Sequence, residues 1–327
     1  MQIQQKKEKS IFAYKALNIC ALVLSLLIIF LSTHIRLGEA NLGCDPWPEC
    51  YAQLSFADDV KGLTIVDNEF ALLRSFHRSI ASLLGLNVIL ITVMVLRKRK
   101  HISPILPLIM FALVVFLSIL GIATPTRSMP IVTMGNILGG ISLTGVIWHH
   151  LLQLNKIRLH KLTPLYYFLI AIIIQLISGA WASANYTAAA CPELFSCRQT
   201  DNLLHSFLNS FNLLRYLTLD AQAHLLADTS SSIIQFSHRI LAIAWLFLVI
   251  HFHRKIRRYH SHLQEPMLWV LVLSLAEFAL GVVNIISDMP LWPNTLHNLL
   301  AVGLLFAVIN LLYKSGKNRN SASPIIS

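Results

Sequence analysis

Eight apolar runs, each about 20 residues long, constrain the fold of this chain more than any other feature, because that length spans a bilayer as an α-helix. Hydrophobic residues make up 55% of the sequence and charged residues 13%. Soluble domains carry about a quarter charged residues. The sequence therefore predicts an all-α polytopic membrane protein with eight transmembrane helices. The runs lie near residues 14–34, 77–96, 104–124, 130–152, 165–184, 233–252, 266–287 and 293–313.

The distribution of charge orients these runs and argues against nucleic acid as a partner. The net charge is +11, but the basic residues are concentrated in segments that eight spans place on one side of the membrane. Acidic residues dominate the other side. By the positive-inside rule both termini are expected in the cytoplasm, with the lipid bilayer as the main surroundings. No transit-peptide lead precedes the first run, which favours a bacterial plasma membrane. The basic segments are residues 5–9, 97–100, 156–161, 253–258 and 314–319.

Two halves of the sequence carry matching landmarks. His77 and Asn136 are 59 positions apart, and so are His238 and His297. A Leu-Gly pair and a proline fall between the two members of each pair. Such repetition indicates an internal duplication, with Asn136 in the position that His297 fills in the later copy. We therefore predict two pseudo-symmetric four-helix bundles. The predicted domains are residues 1–155 and residues 156–327.

Three histidines lie near the predicted outer ends of apolar runs, at His77, His238 and His297. An ionisable side chain at membrane depth is a functional hypothesis by default. Two facing imidazoles in a four-helix bundle are a common means of holding haem. The alternative is an interfacial histidine or one bonded to a neighbouring helix. His149 and His150 lie at the opposite end of the fourth run, where we expect them at the membrane–water boundary.

Two cysteine pairs, each spaced by six positions, fall in predicted outer loops. An oxidising compartment favours a disulfide in each loop. A structural bridge that stiffens the loop and a redox-active pair are both compatible with this spacing. The pairs are Cys44 with Cys50 and Cys191 with Cys197.

Several motifs, taken in order and at their spacing, resemble the haem A synthase family over nearly the whole chain. The second half carries Phe236-Ser237-His238-Arg239 and Leu296-His297-Asn298. The remaining motifs are Thr33 to Gly38 leading into Gly43 to Cys50, Pro130 to Thr133 with Leu138-Gly139-Gly140, Gly179 to Tyr186 followed by Cys191-Pro192 and Cys197, and Leu280 to Asn284.

The resemblance implies a function and a set of site residues. Members of the family oxidise a ring methyl of haem O to a formyl group, which makes haem A for terminal oxidases. The resemblance implies that His238 and His297 are the axial ligands of a haem b cofactor. It also implies that His77 faces the substrate, haem O. The flanking Arg78 and Arg239 would pair with haem propionates, since guanidinium groups suit carboxylates. Expected partners are the farnesyltransferase that produces haem O and the terminal oxidase.

The first half departs from the family at two positions. Asn136 stands where the family has a second histidine, and an amide is a poor iron ligand. Arg74 stands where the family has a glutamate three positions before His77, and Glu69 is a weak substitute two helical turns away. Glu277 in the seventh run is either functional or structural. Three functions stay open here. They are a working synthase, a haem-b-binding electron carrier or oxidase assembly factor without synthase activity, and a transporter.

Overall fold

The computed structural model describes nine α-helices, and the described residues contain no β-strand. Short 3-10 segments, Thr187–Ala190 and Ser261–Leu263, lie after the fifth helix and before the eighth. The helices are α1 (Gln2–Asn41), α2 (Ile65–Lys98), α3 (Ile105–Ala123), α4 (Pro130–Leu154), α5 (Thr163–Ala184), α6 (Leu203–Ser210), α7 (Thr229–Tyr259), α8 (Gln264–Ile286) and α9 (Leu291–Ser315). The described residues are 2–41, 65–98, 102–123, 129–155, 163–191, 193–194, 196–197, 203–217, 229–287 and 290–315.

The prediction of an all-helical, multi-pass membrane protein is confirmed. Within the described residues, seven helices are long and apolar enough to cross a bilayer. The remaining long helix, α3, has 19 residues, and its apolar stretch Ile105–Gly121 is shorter than those of the other seven. It is the most apolar of the set and carries no charged residue.

The eight long helices form two rings with the same order of contacts. In the first ring α1 packs on α2, α2 on α3, α3 on α4, and α4 on α1. In the second ring α5, α7, α8 and α9 follow one another in the same way. Each ring has its own core of buried apolar side chains. The rings meet where α1 contacts α9 and α4 contacts α5. This contact order is the one that a duplication would produce.

The ring order places the candidate ligands on diagonal helices. His238 on α7 and His297 on α9 come from opposite corners of the second ring. His77 on α2 and Asn136 on α4 come from opposite corners of the first. Diagonal helices present side chains toward the bundle interior from two sides, which is how bundles build cofactor sites.

At the end of the bundles opposite the candidate ligands, hydrogen bonds between side chains connect neighbouring helices. The Tyr313 hydroxyl lies 2.8 Å from Nδ1 of His149, which joins the second ring to the first. The Tyr14 hydroxyl lies 2.8 Å from Nε2 of His150. His150 is 1% exposed and packs against Tyr14. The hydrogen bond at Nε2 offsets part of the cost of burial, while Nδ1 has no hydrogen-bond partner among the described residues. The expected position at the membrane–water boundary stays a prediction.

The sequence predicts the residues of α6 as part of an outer loop. The structure has a short helix there, which buries polar side chains and exposes apolar ones. Ser206 and Ser210 are buried on the side that packs against α7, while Leu204 and Leu208 are exposed. The indole Nε1–H of Trp181 donates to the Ser210 carbonyl at 2.9 Å. These polar contacts fix the segment between α5 and α7 close to the candidate ligands.

Candidate functional site

His238 and His297 lie near the same end of the second ring. We call it the disulfide end, because the segment between α5 and α7 that carries Cys191 and Cys197 closes it. His238 is nine residues from the start of α7 and His297 six residues from the start of α9. At about 1.5 Å per residue these positions are about 14 and 9 Å along their helices. Both imidazoles are half-buried.

The imidazole of His238 is held by α5. Its Nδ1 lies 3.3 Å from the amide nitrogen of Gln175 and 3.3 Å from the hydroxyl of Ser178. The amide oxygen of Gln175 is buried without a hydrogen-bond partner among the described residues. With the Gln175 amide turned by 180°, that oxygen accepts a hydrogen bond from Nδ1–H of His238. Nε2 of His238 is then the nitrogen with a free lone pair.

The imidazole of His297 is held by α8. Its Nδ1 lies 3.2 Å from Oε1 of Glu277, with side-chain exposures of 24% and 17%. Nδ1 nevertheless has no hydrogen bond of acceptable geometry among the described residues. As at His238, Nδ1 faces a neighbouring helix and Nε2 is left available.

A glycine on the adjacent helix makes room for each imidazole. A Cβ on Gly179 of α5 would lie 3.0 Å from Cε1 of His238. A Cβ on Gly281 of α8 would lie 3.5 Å from Cε1 of His297. A side chain at Gly179 would therefore press on the imidazole of His238, since a contact of that length is tighter than nine in ten real Cβ contacts.

These residues fit a haem better than a bare metal ion. The described residues contain no group of three or more His, Cys, Asp or Glu that could hold an ion. A porphyrin brings its own equatorial ligands, so two histidines complete the coordination of its iron. The second ring offers two imidazoles from diagonal helices, each with Nδ1 turned to a neighbouring helix and each beside a glycine. The donor set is the one that a low-spin, six-coordinate haem requires.

Arg239 fastens the disulfide segment to α7 next to His238. Its guanidinium donates to the carbonyl oxygens of Glu193, Leu194 and Cys191 at 2.6, 2.8 and 2.9 Å. The predicted disulfide between Cys191 and Cys197 is present. The propionate role of Arg239 stays a prediction, and it would require the guanidinium to share or exchange these carbonyl contacts. Cys44 and Cys50 lie outside the described residues.

The corresponding site in the first ring is less complete. His77 and Asn136 are half-buried, and Arg78 is exposed. Arg74 is half-buried one turn before His77. Glu69 lies within α2, but its side chain falls outside the described part of the structure. At the two positions that correspond to His238 and His297 the first ring therefore has one imidazole, that of His77, and the roles of these residues stay predictions.

Sequence reasoning missed the α5 side of the site. Gln175 and Ser178 were not singled out, although an amide inside an otherwise apolar run was a usable signal. An amide at membrane depth needs a hydrogen-bond partner, so it marks a position where another polar group approaches. Gly179 was quoted in a motif without a role.

Comparison with known proteins decides the family. The family described as cytochrome oxidase assembly protein (COX15-CtaA) matches residues 15–309. The chain belongs to this family. The heme A synthase of Shewanella oneidensis is 30% identical to this chain over 326 residues. That alignment covers 93% of this chain and 97% of the relative, so the likeness extends over both rings. The resemblance to haem A synthases drawn from the motifs is confirmed.

Proposed function

We propose that this membrane protein is a haem A synthase, an oxidoreductase that converts haem O to haem A. The family and the heme A synthase relative support this activity over nearly the full length. The observation that carries the proposal for this chain is the pair of half-buried imidazoles on diagonal helices, each held through Nδ1. The reaction replaces two C–H bonds of a ring methyl by a C=O bond. With water as the oxygen source, R–CH3 and H2O give R–CHO, four protons and four electrons, and the electrons must pass to an external acceptor.

In this proposal the second ring is the electron-handling half. His238 and His297 would hold haem b, and Gly179 and Gly281 leave space for their imidazoles. A bound haem b would supply reversible one-electron transfer. Arg239 holds the disulfide segment against α7 beside His238 through its contacts with the carbonyl oxygens of Glu193 and Cys191. His77 in the first ring orients haem O, and Arg78 lies one residue further on, where a propionate would reach the aqueous boundary.

We also propose how the protein is oriented in the membrane and how its two helix rings are related by symmetry. The disulfide end faces the outside of a bacterial plasma membrane, because the basic segments all fall at the other end. All eight long helices cross the bilayer, and the two rings are related by a pseudo-twofold axis that exchanges α1 with α5 and α4 with α9. The equal contact orders of the two rings support this relation. The haem O farnesyltransferase and the terminal oxidase are the expected protein partners.

A second function is favoured by the first ring. Arg74 and Asn136 replace the carboxylate and the imidazole that the family carries there, and an arginine cannot act as a base at neutral pH. A chain with one complete haem site and one incomplete site suits a haem-b-binding electron carrier or assembly factor without synthase activity.

Haem extraction after co-expression separates the two functions. The protein is expressed in a host that makes haem O and lacks its own haem A synthase, and the haems of its membranes are separated by chromatography. We expect haem A in these membranes and its absence from membranes that carry the empty vector. Haem B and haem O without haem A would support the carrier and contradict the synthase. If haem A is absent, the variants Arg74→Glu and Asn136→His show which of the two departures removed the activity, because the variant that restores the missing group should produce haem A.

The replacement Asn136→His provides a prediction for the first ring. An imidazole at this position lies diagonal to His77 and supplies the missing second ligand. We expect the high-spin fraction of the haem bound in the first ring to become low-spin, measured by absorption and electron paramagnetic resonance. Asn136→Leu is the control, because it changes the side chain without adding a ligand. A spectrum that is the same for both variants would mean that α4 does not face the iron.

A further inference from the structure

We propose that Glu277 is a positioning residue for His297. It accepts a hydrogen bond from Nδ1–H, fixes the imidazole as the tautomer with a free Nε2, and lowers the reduction potential of the haem. The inference rests on the proposed haem site and goes beyond it, because it assigns a role to a residue that does not touch the iron.

The carboxyl group of Glu277 lies next to the imidazole of His297. Oε1 of Glu277 lies 3.2 Å from Nδ1 of His297, and both side chains are mostly buried. Oε2 of Glu277 is buried without a hydrogen-bond partner among the described residues. A carboxyl group in an apolar bundle costs free energy unless its oxygens accept hydrogen bonds. Nδ1 of His297 is likewise buried without a hydrogen-bond partner among the described residues, so a hydrogen bond from Nδ1–H to the Glu277 carboxyl would offset the cost for both side chains.

A comparison of the two rings supports the pairing. Glu277 is four residues before Gly281, and the same position before Gly121 in the first ring is Leu117. The position of His297 is taken in the first ring by Asn136. The carboxyl group and the imidazole are thus both present in the second ring and both missing from the first. A glutamate that served packing alone would have no reason to follow the histidine.

The chemistry follows from which nitrogen carries the proton. A neutral imidazole has one N–H and one lone pair, and a hydrogen bond to one nitrogen decides which nitrogen can bind a metal. A carboxyl oxygen at Nδ1–H also increases the electron density at Nε2. A more basic axial ligand stabilises the ferric over the ferrous state. The two ligands are then unequal, since His238 has the neutral partners Gln175 and Ser178.

The test measures the reduction potential of the haem in purified full-length protein by spectroelectrochemical titration. The variants are Glu277→Gln, which keeps an oxygen acceptor without a charge, and Glu277→Leu, which removes the acceptor. We expect the potential to rise from wild type to Gln to Leu. The Leu variant should shift the oxidised-to-reduced ratio about tenfold, which is about 59 mV for one electron. Glu265→Gln is the control, because Glu265 lies on the same helix, is exposed and pairs with Lys314.

The outcomes separate this inference from the proposed function. A wild-type protein without a low-spin haem would contradict the haem site itself. A wild-type low-spin haem whose potential is unchanged in Glu277→Gln and Glu277→Leu would overturn the role of Glu277 and leave the haem site intact. If Glu277→Leu binds no haem, the Gln variant decides: a potential equal to that of Glu265→Gln overturns the inference, and a raised potential supports it.

Discussion

Replacing His297 with alanine abolishes the low-spin absorption of the haem and lowers the haem content of the purified protein at least about tenfold. The same result is expected for His238→Ala. Each variant removes one of the two nitrogens that would ligate the iron, and the described residues contain no group of three or more His, Cys, Asp or Glu side chains from which a replacement ligand could come. The measurement is the absorption spectrum of the reduced protein together with the haem content per chain.

The control for these variants is His251→Ala. His251 lies on α7, the helix of His238, but it is exposed and about three turns further toward the opposite end. We expect wild-type haem content and spectrum from it. Imidazole added to the buffer should restore part of the low-spin signal to His238→Ala or His297→Ala if the cavity stays folded. A low-spin spectrum that survives both alanine variants would rule out these ligands.

The second large effect is expected from Gly179→Val. A Cβ at this position already lies 3.0 Å from Cε1 of His238, and valine adds two methyl groups to it. The imidazole must then turn away from Gln175 and from its position facing the iron. Interiors tolerate such overpacking poorly, because neighbouring side chains have few alternative rotamers. We expect most of the low-spin haem to be lost, measured as the ratio of haem absorbance to protein absorbance.

Gly303→Val is the matched control for this variant. Gly303 is also a helical glycine of the second ring, but a Cβ there meets no atom within 4 Å. We expect it to keep its haem and its spectrum. Equal haem content in the two valine variants would show that the ring of His238 does not need the space beside Gly179.

The helical architecture could be predicted from the sequence because the length and apolar composition of a run identify a membrane helix. Runs of about 20 apolar residues have few other stable solutions, so the helices appeared where the runs predicted them. The candidate ligand histidines could be predicted for a related reason. His238 and His297 are costly at membrane depth, and their spacing, which equals that of His77 and Asn136, indicates an internal duplication.

The sequence could not supply the contacts between helices that are distant along the chain. Glu277 was ambiguous until its oxygen was found 3.2 Å from Nδ1 of His297. Gln175 and Ser178 meet His238 across about 60 positions of sequence, and no periodicity within α5 reports that approach. The carbonyl contacts of Arg239 depend on an irregular disulfide segment whose backbone path has no local sequence signature.

The most direct test of the account is the haem content and spectrum of the purified wild-type protein after expression with ample haem supply. The account predicts a coloured protein with low-spin haem b bound in the second ring, at about one per chain by pyridine haemochrome assay. A correctly folded, colourless protein would contradict the coordination of haem by His238 and His297. The proposed synthase activity would then lose the cofactor on which it depends.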